Sequence, residues 1–434
     1  MAELIITGNR VIDPYNGYSG PGTIHISGES IERFDPEFIS DLGEFENNVR
    51  LINAGDKIVS PGLIDMHVHL REPGREDEET IISGCEAAAA GGFTAICCMP
   101  NTRPVIDSQE VVRFIRSRAQ YAAARVFVIG AISRGIAGQQ LAEIGDMVDA
   151  GIVAITDDGK SVMDAQLMRN GMEYAKMFGI PVISHAEDMN LSRGGKVNEG
   201  YQATVLGIKG IPSVAEDIIV ARDIYLSKFT GTPLHIAHIS TEGSVKLVRQ
   251  AKEEGLRITA EATPHHFTLT DDLLKTFNTN LIVNPPIRTQ RDIDAVKEGL
   301  RDGTIDCIAS DHAPHSPEEK DVEFMEAPFG MIGLETSLGL SLTNLVHTGL
   351  LPIETLLKKM TAQPAKILSL PYQGFKSGAP ADITIIDLNL EWKVDKAEFK
   401  SKSRNSPFIG YELKGKAVYT ICKGEVVYAE SHIT

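Results

Sequence analysis

The sequence predicts an α/β protein, a TIM (β/α)8 barrel with a small β-domain formed by the N- and C-terminal segments. Three observations predict it. Between about residues 58 and 312 a short apolar, β-rich run is followed by polar or glycine residues and then by a longer segment with helical spacing, and this theme recurs eight times. Both ends of the chain instead carry short alternating strands and turn glycines with little helix. The 434 residues suffice for a large catalytic domain and a smaller companion.

In chain order, residues 1–55 ("LIITGNRVID", "GTIHISGESIERF", "RLINAG") read as the first part of the β-domain, 56–371 as the barrel, and 372–434 ("ADITIIDLNLEWKVD", "KGKAVYTICKGEVVYAE") as its second part. The barrel strands are expected at 62–70, 94–100, 125–132, 151–158, 180–187, 233–240, 257–264 and 306–313, the first preceded by "KIVSPGLI", which reads as one buried strand. Between them, "DEETIISGCEAAAAGG", "SQEVVRFIRSRAQYAA", "MDAQLMRNGMEYAKMFG", "VAEDIIVARDIYLSKF", "TEGSVKLVRQAKEEG" and "TQRDIDAVKEGLRDG" mostly space apolar residues three and four apart and end on glycine. These are amphipathic helices with their stop signals. An open doubly wound sheet is the competing arrangement, but it usually has fewer strands.

Composition narrows the function. With 42% hydrophobic and 23% charged residues, and no apolar run long enough to span a bilayer, the chain reads as a soluble protein. Its start lacks the pattern of a secretory signal, so the cytoplasm is the expected location. Five cysteines, two of them adjacent (Cys97 and Cys98), fit reduced core thiols better than disulfides. A formal charge of −17 argues against nucleic acid and anionic membranes as partners, so an anionic substrate must be caught by local arginines and amides.

The chemistry gathers at strand ends. In "DMHVHLR" strand parity sends Asp65, His67, His69 and Arg71 to one face, which in a closed barrel is the interior. His185 ends strand five, His238 strand six and Asp311 strand eight, while Asp157 and Asp158 end strand four. A lone histidine there would more often be a satisfied polar residue, but four histidines with carboxylates suit a binuclear site for Zn²⁺ or a similar ion. Two such ions lower the pKa of a shared water towards neutrality and polarise a carbonyl, and an aspartate, here Asp311, can pass the proton to a leaving nitrogen. Making or breaking an amide is the reaction class this implies.

The runs "PGLIDMHVHLREPG", "MPNTRPVIDS", "ITDDGKSV", "SHAED", "HIAHIST", "EATPHHFTLTDD", "VNPPIR" and "ASDHAPHSPEEK" followed by "APFGMIGLET" resemble the amidohydrolase superfamily, and within it the bacterial dihydroorotases of the longer, first class. The resemblance covers nearly the whole chain. It implies reversible interconversion of N-carbamoyl-L-aspartate and L-dihydroorotate in pyrimidine biosynthesis, with two Zn²⁺ per subunit. His67, His69 and Asp311 are implied on the first zinc, with Asp311 as acid–base. His185 and His238 are implied on the second, and Asp158 as the bridge. Lys160, as a carboxylated bridge, is the alternative to Asp158, but it lies beyond the strand end.

For the substrate, the resemblance implies a carboxylate clamp of Arg71, Asn101 and His315, since an arginine fork takes a carboxylate with two hydrogen bonds. Asn284 and the backbone at Phe329 and Gly330 are matched to positions that hold the ring's amide edge. Turn formation beside proline is the bland reading of Asn101 and Asn284. His265 and His266 are expected behind the ligands, His235, opposite in parity to His238, is expected to point away, and His25, His347 and His432 are expected to be structural. His312 is left open. The loop 315–328 either covers the site or is a solvated insertion. An allantoinase or hydantoinase is the first alternative function. A non-catalytic subunit supporting aspartate transcarbamoylase is the second, and it would be expected to have lost ligands. The resemblance also implies a homodimer and leaves room for association with that transferase.

Overall fold

The computed structural model describes residues 3–38 and 49–430, so His432 lies outside the described residues. Eight parallel strands, Leu63–Val68, Phe93–Cys98, Arg125–Gly130, Ile152–Ile155, Val182–Ser184, Leu234–Ile236, Ile258–Ala262 and Cys307–Ile308, lie side by side in chain order. A parallel bridge between Val68 and His312, with His69 N donating to His312 O at 2.9 Å, brings the last strand back to the first. The sheet therefore curls into a barrel, whose C-terminal rim is where such folds place their chemistry.

The helices form where sequence periodicity put them: Ile81–Ala90, Gln109–Arg118, Ala165–Phe178, Val214–Thr230, Glu242–Glu253 and Gln290–Asp302. Their ends follow from side-chain chemistry. Thr80 with Ser83 and Thr289 with Asp292 form capping boxes, Asp164 accepts from Gln166 N and Leu167 N, and Gly179, Gly231 and Gly303 close helices in the left-handed conformation. A further helix, Ile144–Ala150, has only seven residues, too few to reveal its repeat in sequence.

Two apolar layers hold the barrel. Leu63, Phe93, Ile96, Val128, Val182 and Ile236 pack outward against helix residues such as Ile81, Val112, Met172 and Val220. Ile64, Met66, Cys97, Ile129, Ala154, Ile183 and Ala237 fill the interior. All five cysteines are buried and unpaired.

The terminal segments make one sheet, in the order Glu425–Ala429, Glu412–Cys422, Ile383–Lys393, Ile58–Pro61, Glu3–Asp13, Tyr18–Ser27 and Ser30–Asp35, with Val49–Asn53 also on Glu3–Asp13. "KIVSPGLI" is therefore not one strand. Ile58–Pro61 pairs with Ile383–Ile386 of the terminal sheet, and the barrel strand starts only after Gly62. His25 in this sheet sits between Arg33 and Asp35, a structural position.

Candidate active site

Strand parity fails inside the first barrel strand, and the site depends on that failure. Ile64 and Met66 face the interior, whereas Val68 and Leu70 pack into the helix layer, so the alternation flips between 66 and 68. The ladder with the second strand slips at the same place. His67 and His69 still reach one cluster. Asp65 does not share their face: its carboxylate accepts from His67 N (3.1 Å) and Ser310 N (3.0 Å), tying strand one to strand eight. Beyond the strands, Arg71 (φ 61°), His238 (φ 31°) and Asp311 (φ 49°) adopt left-handed backbone, which costs non-glycine residues about 1–3 kcal/mol each. Three candidate site residues are thus aimed by strained strand ends, not by simple alternation.

The six residues expected around a metal come together in a buried cluster. Asp158 Oδ1 lies 3.3 Å from His67 Nε2, 3.6 Å from His185 Nδ1 and 3.7 Å from His238 Nε2, and Asp158 Oδ2 lies 3.4 Å from His69 Nε2. Asp311 Oδ1 stands 3.1 Å from His69 Nε2 and 3.5 Å from His67 Nε2. Two donor sets share Asp158: His67 and His69 on one side, His185 and His238 on the other. Asp157 is spent elsewhere, accepting from Ile132 N and Ser133 N, and Lys160 is exposed.

Three of the four rings are oriented from behind, while His238 Nδ1 is buried with no hydrogen-bond partner among the described residues. His67 Nδ1 donates to Glu261 Oε1 (2.7 Å), His69 Nδ1 to Asn101 Oδ1 (2.8 Å), and His185 Nε2 to Glu187 Oε2 (3.2 Å). A carboxylate or amide oxygen only accepts, so these partners leave the opposite nitrogen's lone pair facing the cluster. Buried His67 Nε2 and Asp158 Oδ1 have no hydrogen-bond partner among the described residues. Orphaned polar atoms at full burial are costly, and converging lone pairs repel. Divalent cations fit this donor set.

The surrounding carboxylates favour positive charge at the same place. Burial disfavours every charge here, yet Asp158, Glu261 and Asp311 push His67 well above the usual imidazole range, and Asp158 and Glu187 push His185 up to about 10. Burial likewise opposes the carboxylate form of Asp158 and Asp311, but the surrounding histidines hold both well below the usual carboxylate range.

Beside the cluster opens a pocket of about 170 Å³, and Arg71, Asn101, Asn284, His315, Phe329 and Gly330 all line it, together with His69, Asp158, His185, His238 and Asp311. Gly330 has φ 136°, and a Cβ there would stand 3.0 Å from His315 Nε2, so the close wall requires glycine. Asn101 and Asn284 do more than turn the chain: Asn101 holds the His69 ring, and Asn284 Nδ2 donates to Glu187 Oε2 at 2.7 Å.

His235 lies outside both donor sets and bonds the Thr259 hydroxyl at 2.9 Å. It faces the barrel interior and lies 3.2 Å from Glu261 Oε2, sharing that carboxylate with His67. His266 bonds Thr263 and the Pro285 carbonyl, whereas His265 Nε2 is buried with no hydrogen-bond partner among the described residues. His312 pairs with Glu79 and accepts from Gly333 N, a structural role, and His347 reaches the Leu388 carbonyl. Glu261, Glu187 and Glu78 escaped the sequence reading. A glutamate inside the buried strand "RITAEATP" was the available signal for Glu261, because unpaired carboxylates are almost never buried.

A family model described as dihydro-orotase-like matches residues 56–244. A dihydroorotase from Geobacter sp. (strain M21) is 51% identical over 427 residues, covering 98% of this chain and 99% of its own. One from Pelotomaculum thermopropionicum is 52% identical over 425 residues, covering 98% of each. Among solved structures, the L-hydantoinase (dihydropyrimidinase) from Arthrobacter aurescens superposes with a TM-score of 0.87 at 27% identity, over 99% of this chain and 96% of that one. A D-hydantoinase, at 20% identity and a TM-score of 0.84 over 98% and 95% of the two chains, shares the fold.

Proposed function

Because the chain belongs to the dihydroorotase family, we propose that its buried histidine–aspartate cluster holds two Zn²⁺ ions and interconverts N-carbamoyl-L-aspartate and L-dihydroorotate, a step of pyrimidine biosynthesis. The observation that carries this reading is the sharing of Asp158 by two donor sets beside a pocket with Arg71 and His315 on its wall. His67, His69 and Asp311 would hold one ion, His185 and His238 the other, and Asp158 both. Bound there, the ions supply a water activated near neutral pH and a Lewis acid for the carbonyl.

The protein's own groups do the rest. Arg71, Asn101 and His315 take the substrate carboxylate and fix the ring, while Asn284 and the backbone at Phe329 and Gly330 hold its amide edge. In ring opening, a water oxygen adds to the ring carbonyl carbon and the carbon–nitrogen bond breaks. Asp311 takes the proton from the attacking water and returns it to the leaving nitrogen, and the reverse order closes the ring. A hydantoinase-type ring need not bring a carboxylate for Arg71, so the clamp favours dihydroorotate.

The test is direct: incubate zinc-loaded protein with dihydroorotate and follow ring opening, with hydantoin and allantoin as controls. Turnover of dihydroorotate alone is expected, and none despite bound metal would overturn the reading. No helix among the described residues is long and apolar enough to cross a membrane. The reading includes a cytoplasmic homodimer that can associate with aspartate transcarbamoylase, checked by light scattering of the protein alone and mixed with the transferase.

A further inference from the structure

Behind the pocket wall lies a group of charges that the reaction does not explain. Glu78, in the connection between barrel strand one and helix Ile81–Ala90, has a side chain only 1% exposed, unusual for a glutamate. Its Oε2 lies 3.2 Å from Arg71 Nε, and its Oε1 lies 2.8 Å from Arg75 Nη2 and 3.0 Å from His315 Nδ1. Glu319, on the short helix Pro317–Lys320, closes the same network on Arg75 and, at 2.7 Å, on His315 Nδ1. Glu319 is 32% exposed, so Glu78 is the buried centre.

The geometry divides the Arg71 guanidinium into a held edge and a presented edge. Arg71 Nε is taken by Glu78 and by the Pro314 carbonyl at 3.0 Å, while Nη2 reaches His315 Nε2 at 3.4 Å and Nη1 makes no hydrogen bond to the described residues. His315 faces acceptors at both nitrogens: the two carboxylates at Nδ1 and the Phe329 carbonyl, 2.8 Å away, at Nε2. The network sets Arg71, Arg75 and the His315 ring around Glu78 and Glu319, with Asp77 Oδ1 a further partner 3.8 Å from Arg75 Nε. The free edge of the Arg71 guanidinium is left on the pocket side, where it can meet a substrate carboxylate.

We propose that Glu78 is a positioning residue that holds Arg71 and His315 in register, and so sets the preference of the site for a carboxylate-bearing ring. This rests on the clamp reading of the previous subsection. The test uses the zinc-loaded full chain with dihydroorotate. Glu78→Gln is expected to raise KM by about 10–100-fold while kcat stays within about threefold and the metal content is unchanged. In the Arg71→Ala background, Glu78→Gln should raise KM by a smaller factor than it does in the wild type, because part of its effect runs through Arg71. Should Glu78→Gln not fold, Glu78→Asp, which keeps the charge and shortens the reach, is expected to raise KM less but in the same manner.

An unchanged KM, loss of kcat together with metal, or fully additive effects in the double variant would overturn the proposal. If Arg71→Ala itself leaves KM unchanged, the clamp reading fails. If Arg71→Ala raises KM and the Glu78 variants do not, only the role of Glu78 fails.

Discussion

The two halves of the site are built on opposite rules. On the side of Asp158, polar atoms converge at full burial and are left unsatisfied: His67 Nε2 and Asp158 Oδ1 have no hydrogen-bond partner among the described residues. On the side of Arg71, nearly every polar edge is paired, through Glu78, Glu319, Pro314 and Phe329. The first half gathers acceptors and waits for cations. The second is a charged scaffold already assembled, with one edge of a guanidinium left over for an anion. Burial makes both expensive, and the fold meets the expense with second partners at the back of each functional group.

The comparison breaks most visibly at Asp158, which among the described residues is the one shared by both donor sets. Asp158→Ala is expected to empty both metal positions and to lower turnover by more than about 10⁴-fold, beyond what loss of an acid–base alone removes. Elemental analysis of the purified variant checks it. Asp157→Ala, whose carboxylate serves only the backbone and hydroxyl of the neighbouring loop, should keep its metal. If Asp157→Ala loses the metal and Asp158→Ala keeps it, the division of the site given above is wrong.

Asp311→Asn comes next in size. The amide keeps an oxygen for the cation side but cannot carry the proton, so kcat should fall by about 10²–10⁴-fold with metal largely retained. A variant that loses metal in proportion to activity would show Asp311 to be a ligand only. Smaller again is Glu261→Gln, which removes a charged acceptor from His67 Nδ1 without emptying the space. A roughly 10–100-fold loss of metal affinity is expected, with KM for dihydroorotate unchanged in the fully loaded enzyme. A raised KM would mean that the two halves are coupled through the barrel interior.

These residues also show how far the sequence could be read. The eight barrel strands, the capped helices and the gathering of histidines and aspartates at the barrel rim were legible because each rests on local pattern: apolar runs, glycine stops, and histidines at strand ends. The way the first strand delivers His67 and His69 was not legible, since a register slip at 65–68 depends on how the neighbouring strand lies. Nor could parity place Arg71, whose direction comes from left-handed backbone. Glu78 and Glu261 were missed for another reason. Acidic residues look alike in sequence whether they face water or a buried cation, and only the folded chain distinguishes them.

The smallest expected effect tests whether the anion half is a rigid scaffold that tolerates buried charge. Lys320, at the end of the short helix in the loop 315–328, is buried, with Nζ donating to the Pro328 carbonyl at 2.7 Å and to Thr279 O at 3.3 Å. Burial, and then repulsion from Lys196, push its amine down to about 7 from an ordinary 10.5. In the unfolded chain Lys320 keeps its proton up to that ordinary value, so between about 7 and 10.5 the unfolded state binds more protons than the folded one. Stability from this group therefore rises with pH across that window, and the burden of the buried ammonium is fully present below it. Lys320→Met fills similar space without a charge. The difference in urea midpoint between wild type and variant should move in favour of wild type as pH rises from about 6.5 to about 9.5. A difference that stays flat would mean that the carbonyl oxygens stabilise the ammonium as well as water does. This loop would then be as fully compensated as the Glu78 network beside it.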